Sequence, residues 1–219
     1  MNNSYSPSRR QIFKTGLAAA GLVAFSGITG AMHPTSKLPP KSAMLLTGGL
    51  SDLRYPFTLP ELPFGTDAFA PGIDVATMEI HHGKHHAGYV RKLNAALEAE
   101  PEWQSKPLGS LLANIDALPE SIRTAVRNNG GGHANHSLYW ATMRPDGSQP
   151  SGQLAIDIKR DFGSVDGLRE KLKAAALGRF GSGWAWLAVA PSGSLIVRSS
   201  ANQDSPFMQG QRPLFGIDV

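Results

Sequence analysis

The chain has 219 residues, 41% hydrophobic and 17% charged, enough to bury one medium core or two small ones. It holds no cysteine, which excludes disulfides and leaves His, Asp or Glu to hold any metal. The formal net charge is +4, but Arg9, Arg10 and Lys14 lie in residues 1–31, which carry no acid; without them 18 bases face 17 acids, a net of +1. A body so close to neutral is not a polyanion binder, and no nucleic-acid partner is expected.

Residues 1–31 read as an export signal. Ser8-Arg9-Arg10-Gln11-Ile12-Phe13-Lys14 precedes a short apolar run over 16–25, and small residues follow at 27–31. The run is well short of the ~20 residues that span a bilayer, so no stable membrane anchor is expected. The paired arginines resemble a twin-arginine signal, which implies an exported or periplasmic protein, with cleavage expected near Ala31. Residues 32–54 carry Pro, Ser and Gly without periodicity and read as a linker.

From Tyr55 to Phe64 three prolines exclude helix and central strand, leaving an extended arm that packs its aromatics elsewhere. Residues 72–98 then read as a long helix, with Ile73, Met78, Ile80, Val90, Leu93 and Leu97 as its apolar side. On that helix the run His81-His82-Gly83-Lys84-His85-His86-Ala87-Gly88-Tyr89 puts His81, His85 and Tyr89 four apart, hence on one face. A purely packing helix would place Leu or Ala there. His82 and His86 point away from that stripe, as solvent-facing or packing residues.

A break over 101–106 and a short helical piece over 108–118 lead to a second long helix over 120–143, which pairs with the first as a hairpin. Gly130-Gly131-Gly132 sits in its middle. Each glycine there costs roughly 0.5–1 kcal/mol relative to alanine, so something must approach the backbone closely, unless a loop splits the helix at that point. His133, Asn135, His136 and Trp140 follow, with His136 and Trp140 on one face and His133 structural.

After the turn-rich boundary at 145–150, residues 154–162 and 165–177 read as two helices, the second capped by Ser164. Residues 184–189, 194–199 and 213–219 read as three strands. The polar Asn202-Gln203-Asp204 separates the last two. Asp218 is out of place in a mainly apolar strand unless paired or metal-bound. The fold class is therefore α+β: an N-terminal antiparallel long α-hairpin, then a C-terminal α/β domain with a small three-stranded antiparallel sheet. The boundaries are 1–31 for the signal, 32–54 for the linker, 55–144 and 145–219 for the two domains.

Three polar residues are left over: His81, His136 and Asp218, on three different elements. Two imidazoles and one carboxylate suit iron, manganese or zinc, with Tyr89, Trp140, Trp184 and Trp186 available as a dry aromatic surround. Trp186 fits a core position better than the wall of a site.

The ordered motifs Leu59-Pro60-Glu61-Leu62-Pro63-Phe64, His81 to Tyr89, Asn129-Gly130-Gly131-Gly132-His133-Ala134-Asn135-His136, and Arg160-Asp161-Phe162-Gly163-Ser164 resemble those of the iron/manganese superoxide dismutase family. So do Gly181-Ser182-Gly183-Trp184-Ala185-Trp186-Leu187, Asn202-Gln203-Asp204 and Gly216-Ile217-Asp218-Val219. The resemblance implies conversion of superoxide to oxygen and hydrogen peroxide at one redox-cycling manganese or iron ion per subunit. It implies His81, His136 and Asp218 as three of four metal ligands, and His85 and Tyr89 as the pair lining the substrate entrance and aiding proton delivery. It implies Gln203 as the amide bonded to metal-bound solvent, and Trp140 and Trp184 as the aromatic cage. Glycine at position 132, with the glutamine supplied at 203, matches the manganese type. A homodimer or homotetramer is also implied.

Relatives continue after this Asp-Val with Trp-Glu-His, which carries the fourth ligand. The resemblance therefore implies that the C-terminal domain is incomplete at Val219, and a truncated, non-catalytic metal-binding relative is the alternative expectation. A zinc hydrolase would need a general base beside an open coordination position. No Glu or Asp is arranged with His81 or His136 as such a base.

Overall fold

The computed structural model describes residues 53–219. The signal and most of the linker expected over 1–54 lie outside these residues. Asp74 starts the first helix: its Oδ1 accepts from Thr77 N at 2.7 Å, satisfying a donor that the helix cannot. The helix begins at Val75, three residues later than the apolar spacing indicates. It runs as α1 (Val75–Ile80), a π-helical turn over His81–His86, and α2 (Ala87–Glu98).

Two short helices, α3 (Pro101–Gln104) and α4 (Leu108–Ala113), connect this helix to the second one. The second comprises α5 (Glu120–Ala125), another π-helical turn over Val126–Gly130, and α6 (Gly131–Thr142). The glycine run does not split it into two helices; the chain stays helical with wider turns. No helix among the described residues is long and apolar enough to cross a membrane.

In the second half, α7 (Gly152–Phe162) ends at Gly163, whose φ of 78° is a backbone conformation that glycine tolerates best. Ser164 then caps α8 (Val165–Leu177), its side chain accepting from Gly167 N at 3.0 Å. The strands β1 (Gly183–Val189), β2 (Leu195–Ala201) and β3 (Arg212–Asp218) form an antiparallel sheet in the order β2-β1-β3. The central strand β1 is buried over six of its seven residues, so it reads as a continuous apolar run rather than an alternating one. Its register with β3 sets Trp184 directly beside Asp218. Reciprocal bonds between Gly183 and Val219, at 2.9 and 2.8 Å, close the ladder just past Asp218.

Apolar packing ties these parts into one site. One cluster joins the two long helices, through Leu93, Leu97, Val126 and Ala134, to Trp184 and Trp186 of β1. A second sits between α7, α8 and the sheet around Ile158, Leu168, Leu187 and Phe215. The third gathers Phe69, Met78, Trp140 and Met143, with Leu62 and Phe64 of the proline-rich arm against it. The arm is held to α2 by Asn94, which accepts from Phe57 N and donates to Phe57 O, both at 2.8 Å.

The three glycines mark three close approaches. A Cβ on Gly130 would press on Leu108 and Leu112, one on Gly131 would strike the Gln203 carbonyl, and one on Gly132 would enter the Tyr89 ring. Gly83, by contrast, has open space around a Cβ. Gly83→Ala is therefore expected to raise stability by about 0.5–1 kcal/mol, the ordinary helix gain. Gly131→Ala is expected to lower it, because backbone must move. Urea denaturation of both variants checks this; equal midpoints would contradict the close approach.

Candidate metal centre

His81 comes from the first π turn, His136 from α6 and Asp218 from the end of β3. The structure brings all three together. His81 Nε2 lies 2.9 Å from His136 Nε2 and 3.0 Å from Asp218 Oδ2, and His136 Nε2 lies 3.5 Å from Asp218 Oδ2. Among the described residues, this is the one group of such side chains whose donor atoms converge.

The protonation states follow from the surroundings. His136 Nδ1 sits 2.8 Å from Gly132 O, which can only accept. Nδ1 therefore carries the proton, and Nε2 presents its lone pair to the other two groups. Burial lowers the His136 pKa to about 4, against the upward pull of the Asp218 carboxylate, so the ring is neutral at pH 7. A neutral imidazole with its lone pair turned inward is the form that binds a cation. Ligand atoms sharing one ion stand roughly 3 Å apart, close to the spacings seen here. The donor set therefore fits a metal ion, and it is made of nitrogen and oxygen ligands suited to manganese, iron or zinc.

Aromatic rings wall the group. Trp140 meets His81 edge to face at 4.9 Å, and Trp184 meets His136 likewise at 5.2 Å. Tyr89 leans on His136 at 5.3 Å. Burial, and then the Asp218 carboxylate, push the Tyr89 phenol above its ordinary value, while a hydrogen bond with the Gln203 side chain pulls the other way. Gln203 Oε1 accepts from Trp184 Nε1 at 3.1 Å and from Asn135 Nδ2 at 3.4 Å, which leaves the amide N–H groups to donate. Trp186 is stacked behind Trp184 at 5.1 Å and fully buried, a core position.

The π turn alters the stripe expected from α-helical spacing. The wider turn, bonded between residues five apart, brings His81 and His86 to the same side, with centroids 4.9 and 5.5 Å from the His136 ring. His86 is completely buried, whereas His85 is exposed and meets the edge of His81, at 6.2 Å. Sequence spacing thus separated His86 from the site it backs. Trp140 Nε1 donates to His86 Nδ1 at 3.0 Å, and His86 Nε2, which then holds the proton, donates to His133 Nδ1 at 2.8 Å. His82, on the arm side, bonds Pro60 O at 2.8 Å.

Tyr139 lines the site without standing out in the sequence, and Asn135, notable there only as a neighbour of His136, has a role of its own. Tyr139 contacts His81, Trp140 and Trp184, and burial pushes its phenol up. Asn135 holds Gln203. Tyr139 lies three residues from His136, a helical neighbour, which is the signal that could have found it.

Two family models match the chain: the alpha-hairpin domain of iron/manganese superoxide dismutases over residues 56–144, and their C-terminal domain over residues 150–219. The chain belongs to the iron/manganese superoxide dismutase family. It is 55% identical over 165 residues to "Superoxide dismutase [Mn]" of Pseudomonas putida, covering 75% of this chain and 81% of that protein. To the protein of the same name from Thermus aquaticus it is 55% identical over 168 residues, 76% of this chain and 82% of the other. The one from Bordetella pertussis is 54% identical over 165 residues, 75% and 78% of the two chains.

The histidine layer behind this dismutase site makes a prediction of its own. Burial lowers the His133 pKa from 6.5 to about 4, with His136 adding to the effect, and burial likewise holds His86 down. Above pH 6.5 the ring is neutral in both folded and unfolded chains. Below it the unfolded chain takes up the proton first, so stability falls as pH drops from 6.5 through 4. Urea midpoints of the metal-free protein should decline over that window, and His133→Asn should flatten the decline. An unchanged slope in the variant would contradict the assignment.

Proposed function

We propose that the chain is a manganese superoxide dismutase, with one ion per subunit held by His81, His136 and Asp218, and iron as the second choice. The carrying observation is the convergence of two imidazole Nε2 atoms and one carboxylate inside an aromatic wall. The bound ion supplies the one-electron chemistry by which one superoxide is oxidised to oxygen and another, taking two protons, is reduced to hydrogen peroxide.

The chain's own residues do the remaining work. Gly132 O orients the His136 ring, and Trp140 and Trp184 exclude water from its flanks. Tyr89, kept protonated by burial, holds a proton at its hydroxyl beside Gln203. The exposure of His85 and its contact with the edge of His81 support a role in passing protons in from solvent and lining the substrate entrance. Gln203, gripped at its oxygen, turns its N–H groups to donate toward the site.

Manganese is favoured by position 132. The Tyr89 ring occupies the place where a side chain would go, so no glutamine can reach in from α6 and Gln203 serves from the sheet side. The relatives' names point the same way. A homodimer or homotetramer fits the exposed apolar surface at Leu177 and Phe180, the latter 97% exposed. Export through Arg9 and Arg10 fits the basic, acid-free leader; replacing both by Lys should leave the protein in the cytoplasmic fraction, and undiminished export would reject that route.

The test is superoxide consumption measured alongside metal content after loading with manganese or with iron. The manganese-loaded protein is expected to be the more active. His136→Ala and Asp218→Ala should each lose bound metal and at least the roughly 10–100-fold that even outer partners of a metal contribute. Tyr89→Phe should keep the metal. A metal-loaded wild-type protein that leaves superoxide unconsumed would overturn the proposal.

A further inference from the structure

The segment that delivers Gln203 is a tight turn between β2 and β3, and it is held from several directions. Asn202 has a φ of 50°, the left-handed region that costs a non-glycine residue about 1–3 kcal/mol unless its surroundings enforce it. Its backbone N–H donates to Ser182 O at 2.8 Å, and Ser182 Oγ donates to its Oδ1 at 3.0 Å. Behind the turn, Trp186 Nε1 donates to Ser200 Oγ at 2.8 Å, and Ser200 Oγ donates to Asp204 O at 2.6 Å. These contacts all come from the sheet half.

The helical half supplies the opposing grip. Asn135 Nδ2 donates to Gln203 O at 3.1 Å, and Gly131 leaves room for that carbonyl to rest on the helix backbone. The Asp204 carboxylate is held by a parallel fork: Arg127 Nε to Oδ1 and Nη2 to Oδ2, both at 2.7 Å. Arg127 lies in the π turn of Val126–Gly130, 77 residues away in sequence, and its side chain is 54% exposed.

An exposed single ion pair contributes about 0–1 kcal/mol to stability, so stability alone gives this one little work. Its fork geometry, however, fixes direction as well as distance, which a lysine cannot do. What it fixes is the residue next to Gln203.

We propose that Arg127 is a positioning residue: through its fork on Asp204 it holds the Gln203 turn against the helices and so sets where the Gln203 amide sits in the metal centre. The proposal rests on the dismutase reading for its catalytic consequence, though not for the placement itself. With the fork gone, the turn is free to relax about Asn202, and the Gln203 N–H groups lose their fixed aim.

The experiment compares Arg127→Gln, Arg127→Lys and Asp204→Asn with Arg169→Gln, which breaks an exposed pair with Asp166 on α8, a helix that carries none of the site residues. In the metal-free protein, the Gln203 side-chain amide signals, identified by their absence in Gln203→Ala, should shift and broaden in Arg127→Gln and Asp204→Asn but not in Arg169→Gln. In the metal-loaded protein, Arg127→Gln should lower kcat by about 10-fold, the low end of what outer partners contribute, at unchanged metal content and KM. Arg127→Lys should recover only part of it. In a Gln203→Ala background the Arg127→Gln change should have no further effect on kcat, since one pathway is already cut.

Unmoved Gln203 amide signals in both variants would overturn the proposal. So would a kcat loss that adds fully to that of Gln203→Ala. A wild-type protein that binds metal yet consumes no superoxide would instead overturn the dismutase reading, and the amide signals would still decide the placement.

Discussion

Everything in this molecule depends on holding two imidazole nitrogens and a carboxylate oxygen within 3.5 Å of one another, largely out of water. A cation bound between them would be shared by all three atoms. Each group comes from a different element, so none can be set locally. The first π turn aims His81, the Gly132 carbonyl orients His136, and the β1–β3 register places Asp218 beside Trp184. The third apolar cluster presses Trp140 against the group, while His86 Nδ1 accepts a hydrogen bond from the indole N–H.

Much of this was legible in the sequence because chemistry marked the positions. His81, His136 and Asp218 stood out as polar residues on apolar elements, and the structure brings them together. The limits of β1 were readable to within one residue because it is apolar throughout and flanked by glycine and a Pro-Ser-Gly turn, whereas β2 runs two residues further than its sequence limit. The glycine run announced close approaches. Which atom approaches which glycine was not readable, because Tyr89 and Gln203 arrive from distant segments.

The π turns were the part that periodicity concealed. A stripe built on four-residue spacing joined His81 to His85, yet the widened turn buries His86 and leaves His85 at the surface. No local composition distinguishes a π turn from the α-helix around it. The wider turn is stabilised by tertiary contacts: the Trp140–His86–His133 hydrogen-bond chain and the ring contacts of His81. The same holds for Val126–Gly130, whose Arg127 reaches across to Asp204. Functional precision in this fold therefore resides where helix geometry departs from the regular, and the two halves meet at those departures.

The most direct test of the central claim is a crystal structure of the manganese-loaded protein, with anomalous scattering recorded at the manganese edge. A single anomalous peak per subunit, bounded by His81 Nε2, His136 Nε2 and Asp218 Oδ2, is the predicted result. A protein that consumes superoxide while its manganese peak lies away from these three atoms would contradict the account.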